Sequence, residues 1–247
     1  MSAIAKPEAV HYPDSDGQPM ADNTVQFDWI AVLKWNAEIQ YRDDPDVFVA
    51  GDHLIYPVEG RADVRQAPDV YVAFGRPKGD RGSYRVWEEG GVFPQVVFEI
   101  WSPSNTPQGM RAKLEFYQRY GAEEYYLVYP EFPAFVEGWR RDGAALARID
   151  EMNGHVSPRL GWRFELLAGE LTVLDPHGRP LRRPDEIAAG LTAERDAAAA
   201  ERDAAAAERD AARAEAARLA DERDAERERA ARLAARLREL GIDPDAG

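Results

Sequence analysis

The stretch PQVVFEIWSPS, residues 94–104, decides the fold: a short, nearly continuous apolar run that ends at Pro103. Runs of this length and composition are interior strands covered on both faces, not amphipathic surface strands. Glu99 is the anomaly within it. Immediately after it, MRAKLEFYQRYG (110–121) places Met110, Leu114, Tyr117 and Tyr120 at helical spacing, with Gly121 as terminator. EEYYLVYP (123–130) then follows as a β-rich run. Together the three segments form a strand–helix–strand unit, which predicts an α/β domain.

Working outward towards the N-terminus, QAPDVYVAF (66–74) reads as a strand, and GRPKGDRGS (75–83) as a polar, glycine-rich loop. VFVAGDHLIYPV (47–58) has the form of a hairpin turning at Gly51-Asp52. TVQFDWIAVLKWNAEIQYR (24–42) is a helix that Asn23 can cap, with Phe27, Ile30, Leu33 and Ala37 as its apolar positions and Pro45 beyond its end. Residues 1–22 lack periodicity and are expected to form a flexible arm. Towards the C-terminus, FVEGWRR, ALARI, GWRFELLAG and LTVLDPHG are short strands that either extend the sheet or form a second small one. The domain so delimited spans residues 23–186. From 187 to 247 the chain is a charged tail in which ERDAAAA recurs with period seven, closed by Gly241 and Pro244. Alanine, glutamate and arginine favour one long helix. A seam of Ala198, Ala205, Ala212, Leu219, Leu233 and Leu240, interrupted by Glu226, suits either a thin coiled coil or a solvated single helix.

Composition bounds the function. The chain of 247 residues is 45% hydrophobic, enough for an ordinary core, and has no cysteine, which excludes disulfides, thiolate metal sites and cysteine nucleophiles. Any metal must sit on oxygen or histidine ligands, and a hard ion such as Mg²⁺ is the expected one. His11, His53, His155 and His177 are scattered without ligand spacing and are expected in loops or at the surface. No run is long and apolar enough for a membrane span and the start carries no signal-peptide stretch, so the expectation is a cytoplasmic protein with no membrane partner. The net charge of −14 argues against avid, non-specific binding of nucleic acid, though a local basic patch from Arg111, Lys113 and Arg119 on the second helix remains open. There is no P-loop form and no nucleophile-elbow signature.

Three residues stand out for chemistry: Asp69 at the head of a strand, Glu99 inside one and Lys113 on the helix that follows. A carboxylate in a buried strand is costly without a partner, and a divalent cation shared with Asp69, or an arginine such as Arg111 or Arg119, would answer that need. The runs QAPDVYVAF, VVFEIWSPSN and KLEFYQRYGAEEYYLVYP, with SPRLGWRFELLAGELTVLDPHG later in the chain, resemble the Uma-type family of putative restriction endonucleases, a branch of the PD-(D/E)XK nuclease superfamily. The resemblance covers roughly residues 20–185. It implies a restriction-endonuclease-like mixed sheet flanked by helices, with Asp69 and Glu99 as the metal-holding acids. The superfamily's lysine would stand two residues after the second acid, where this chain has Trp101; the resemblance puts it at Lys113, in the family's Lys-x-x-x-Tyr pattern. Glu38 is a tentative further carboxylate. The function so implied is DNA hydrolysis with Mg²⁺ or Mn²⁺. The alternative is an inactive nuclease-fold scaffold that acts through its helical tail, and a homo-oligomer formed through that tail is compatible with either.

Overall fold

Helix α1 (Thr24–Gln40) begins where the Asn23 side chain accepts the Gln26 N–H at 2.8 Å, satisfying one of the donors a helix start leaves open. The computed structural model describes residues 10–15, 17 and 20–241. Positions 1–9, 16, 18 and 19 of the expected arm, and the Pro244 stop, lie outside the described residues. The buried stripe of α1 is Gln26, Ile30, Leu33 and Ala37. Phe27, expected in that stripe, is 50% exposed. The helix is rotated so that Gln26 faces inward, which is tolerable because its amide is used on both sides: Oε1 accepts the Asp22 N–H at 2.8 Å and Nε2 donates to Asp69 at 3.3 Å.

Among the described residues ten strands follow: β1 (Val47–Ala50), β2 (Ile55–Tyr56), β3 (Val70–Phe74), β4 (Tyr84–Arg85), β5 (Val96–Ile100), β6 (Glu124–Tyr129), β7 (Phe135–Asp142), β8 (Ala145–Arg148), β9 (Arg163–Leu167) and β10 (Glu170–Leu174). Helix α2 (Pro107–Tyr120) joins β5 to β6, and α3 (Pro184–Glu239) follows β10. The principal sheet is mixed, in the order β1-β3-β5-β6-β7-β8. Strand β5 lies inside it, antiparallel to β3 and parallel to β6, with α2 as the crossover a parallel pair requires. All five residues of β5 are buried. On one face of the sheet Val70, Val96, Phe98 and Ile100 pack with Leu33 of α1 and Trp162; on the other, Tyr71, Val97 and Leu127 pack with Met110 and Tyr117 of α2. Alternation along the strands divides the two cores.

The hairpin expected over 47–58 does not form. Strand β1 pairs antiparallel with β3, Val47 opposite Phe74, and β2 pairs parallel with β4. Asp52 is the reason. It sits in left-handed backbone (φ 48°), and its N–H donates to the carbonyls of Pro68 at 3.1 Å and Asp69 at 3.2 Å, so the head of β3 captures the turn. Of the later segments, β7 and β8 extend the principal sheet, while β9 and β10 form a separate two-stranded one. Within the segment expected to be an arm, the Tyr12 ring packs edge-on against Tyr56 at 5.1 Å and the Pro13 carbonyl accepts the Tyr56 hydroxyl at 2.7 Å.

The chain divides into two units between Glu186 and Ile187. In the second, α3 carries side-chain ion pairs one turn apart, such as Arg218 with Glu215 and Glu222, each at 2.7 Å. Its Leu219, Leu233 and Leu240 are exposed. Among the described residues no helix is long and apolar enough to cross a membrane.

Candidate active site

One step beyond the paired residues of β3 and β5, where Val70 faces Phe98, the same register sets Asp69 opposite Glu99. Directly opposed residues of an antiparallel pair project to one face. The two acids therefore meet at one end of the β3–β5 pair, on the side that α2 covers. Asp69 Oδ2 accepts the Ile100 N–H at 2.6 Å, and Oδ1 accepts the Gln26 amide of α1. Burial, and then the charge of Glu99, push the Asp69 carboxyl up to about 8, against the opposing pull of the Ile100 N–H and of Lys113.

Glu99 is 1% exposed and has both oxygens engaged. Lys113 Nζ lies 2.7 Å from Oε2, and the Tyr117 hydroxyl donates to Oε1 at 2.5 Å. Lys113 and Tyr117 are four residues apart on α2, which places them one above the other on a single helix face. Local sequence sets that face: Thr106 caps the helix by accepting the Gly109 N–H at 3.1 Å, Pro107 opens it, and Gly121 ends it in left-handed backbone (φ 113°). Trp101, two residues after Glu99, stacks on Tyr129 with ring centroids 5.2 Å apart. A side chain from the adjacent helix thus brings the ammonium to Glu99.

The expected patch of Arg111, Lys113 and Arg119 does not form. Arg111 and Lys113 are two residues apart, about 200° around a helix; Lys113 turns in to Glu99 while Arg111 and Arg119 are exposed. Glu38 is not brought to the pair. Its carboxylate meets Lys34 at 3.4 Å, and both line a separate depression with His53, Lys78 and Arg81. His53, expected in a loop or at the surface, is tied into the structure: Nδ1 lies 2.5 Å from the Tyr71 hydroxyl and Nε2 lies 3.1 Å from the Arg81 carbonyl, and burial holds its pKa below the ordinary value.

Two participants were missed in the sequence. Asp52 adds its negative charge to the field that raises Asp69, and its only signal was the Gly-Asp pair assigned to a hairpin turn. Gln26 reaches Asp69 from α1, and nothing in its local pattern marks it. Glu124 is a second buried glutamate, 1% exposed, but its donors are structural: the hydroxyls of Tyr126 and Ser157 and the Arg159 N–H. It clasps β6 to the segment before β9. Glu99 differs in having a cation and a second carboxylate beside it.

Two carboxylates opposed at a strand end are oxygen donors of the kind a hard divalent cation takes while keeping several waters. Among the described residues no group of three or more His, Asp or Glu is gathered for a metal, so the protein's share would be this pair.

Comparison with known proteins gives a match of residues 16–160 to the family model described as "Uma2: Putative restriction endonuclease". Among solved structures, the chain is similar to a putative nuclease belonging to DUF820 from Anabaena variabilis ATCC 29413. That similarity has 14% sequence identity, covers 57% of this chain and 74% of the other, and has a TM-score of 0.39. No curated protein matches.

Proposed function

Because the chain belongs to the Uma2 putative restriction endonuclease family, we propose that it is a metal-dependent endonuclease that hydrolyses DNA phosphodiester bonds at Asp69, Glu99 and Lys113. The observation that carries this reading is the opposition of Asp69 and Glu99 across β3 and β5 with Lys113 Nζ 2.7 Å from Glu99. Asp69 and Glu99 would hold Mg²⁺ or Mn²⁺, which when bound supplies Lewis-acid polarisation of a phosphate oxygen and a more acidic water.

The protein's own groups have separable tasks. In hydrolysis a water oxygen bonds to phosphorus while the bond to the leaving sugar oxygen breaks, and negative charge builds on the phosphoryl oxygens. Lys113, at the edge of the site with its side chain 24% exposed, is the cation positioned to meet that charge. Tyr117 and Lys113 together fix the Glu99 carboxylate, and the Ile100 N–H and Gln26 fix that of Asp69, so neither acid need reorganise when substrate arrives.

DNA as substrate is supported by the family whose model the chain matches. With a net charge of −14, few phosphates are contacted and the salt dependence of binding should be shallow.

Plasmid nicking with Mn²⁺ or Mg²⁺ at low ionic strength tests the reading. The wild type should cleave only with metal, Glu99→Ala should abolish cleavage, and Lys113→Ala should lower the rate by about 10²–10³-fold with DNA affinity little changed. Wild-type protein that leaves duplex, single-stranded and branched DNA intact with every metal tried would overturn it.

A further inference from the structure

The C-terminal half of α3 carries a seam that nothing in its own helix covers. Ala216, Arg223, Ala230 and Leu237 alternate with Leu219, Glu226, Leu233 and Leu240 at spacings of three and four, which are the a and d positions of a heptad. Leu219, Leu233 and Leu240 are 52%, 66% and 64% exposed, and Arg223 and Glu226 are exposed between them. The helix runs unbroken from Pro184 to Glu239, and the Leu240 N–H still bonds to the Arg236 carbonyl at 3.3 Å. A helix without a turn cannot fold back over its own apolar row.

Reversed on itself, the seam is complementary in both size and charge. When two copies run antiparallel about the point between Asp224 and Ala225, each a position meets a d position of the other chain. Arg223 of one copy then faces Glu226 of the other. Leu219 faces Ala230, Leu233 faces Ala216 and Leu237 faces Ala212, so a large side chain meets a small one in each of these layers. Leu240 lies against Arg209, whose aliphatic stem can cover it. The row beside the seam agrees: Glu208, Glu215 and Glu222 precede Arg229 and Arg236, and reversal sets the acidic half against the basic half. A parallel pair would instead bury Arg223 against Arg223 and Glu226 against Glu226, leaving like charges in two central layers.

We propose that α3 pairs with α3 of a second copy of this chain, as an antiparallel two-stranded coiled coil over residues 209–240 in which Arg223 and Glu226 pair across the two-fold axis. A match of size and sign about one point in a single sequence is what a two-fold, self-complementary contact requires. The overlap spans roughly 48 Å at a rise of about 1.5 Å per residue. Within its own helix Arg223 has only an exposed contact with Asp224 at 3.5 Å, which competes little with a partner's carboxylate. The charged layer costs stability and fixes register and direction. Alanine buries little area, so the dimer is weaker than a leucine-only seam would give and forms as concentration rises.

Sedimentation equilibrium of the full chain over a series of concentrations tests this independently of any activity. The wild type should pass from monomer to dimer. Arg223→Glu and Glu226→Arg should each raise the dissociation constant about ten-fold or more, because each sets like charges in both central layers. An equimolar mixture of the two variants should recover the dimer, as should the double exchange Arg223→Glu with Glu226→Arg, since opposite charges face each other again in both. That recovery also shows that the single variants fail through charge and not through loss of the helix. Leu233→Ala, which empties the layer shared with Ala216, should weaken the dimer in the same direction. A wild type that stays monomeric at the highest soluble concentration would overturn the proposal. So would single exchanges that leave association unchanged, the behaviour of a parallel coil or of a contact elsewhere in the chain.

Discussion

At the scale of single residues, the site is defined by how its charges are compensated. Asp69 is buried opposite Glu99, and its carboxyl is raised from 3.8 to about 8 in the metal-free protein. In the unfolded chain it ionises near its ordinary value, so between about pH 4 and 8 the folded state holds a proton that the unfolded state has lost. Stability from this group therefore falls as pH rises through that window. His53 and His155, both held below their ordinary pKa by burial, act in the opposite direction: their contribution is present at high pH and is lost as pH drops below about 6.5. Asp69→Asn isolates the first effect. Relative to wild type, the variant should gain on the order of a few kcal/mol between pH 5 and pH 8, read from urea denaturation with a chelator present. A wild-type-minus-variant difference that is flat over that range would show that Asp69 is not held protonated.

At the scale of elements, α2 is the part on which the site depends. It delivers Lys113 and Tyr117 to Glu99 and supplies Met110 and Tyr117 to one core. Its start rests on one side-chain cap, Thr106 to the Gly109 N–H. Thr106→Ala should cost about 1 kcal/mol of domain stability. Thr106→Ser should restore most of it, because the hydroxyl makes the same bond. If urea midpoints place both variants at the wild-type value, the cap does not govern the helix. Because α2 brings Lys113 to Glu99, Trp101 just beyond β5 is left to stack on Tyr129.

At the scale of the whole molecule, the chain divides at Glu186–Ile187, and each unit holds itself by different physics. The first is held by two apolar cores on either face of the principal sheet. The second is helix sustained by alanine propensity and by exposed ion pairs worth a few tenths of a kcal/mol each. Removal of residues 190–247 should therefore leave a folded domain, and circular dichroism should lose helical signal roughly in proportion to the residues removed. Light scattering on the full and shortened chains reports whether the tail sets the assembly state. A shortened protein that aggregates or melts well below the full chain would show that the first unit does not fold by itself.

Local sequence determined the elements. Apolar runs bounded by proline and glycine marked β3, β5 and β6, and helical spacing with a cap and a terminal glycine marked α1 and α2. Repetition of alanine, glutamate and arginine marked α3. Each is a property of neighbours along the chain, where periodicity and capping act. The oddity of Glu99 was likewise legible, because a charge in a buried strand conflicts with its surroundings whatever the fold. Tertiary structure alone decided what met what. The strand that β1 joined was set by the Asp52 N–H bonding to the carbonyls that lead into β3, and α1 was rotated by an amide contact from Gln26 to Asp69, forty-three positions away. The opposition of Asp69 and Glu99 follows from the β3–β5 register. Such contacts join residues far apart in the chain, and their energy is realised only when the sheet has assembled, so no local pattern encodes them.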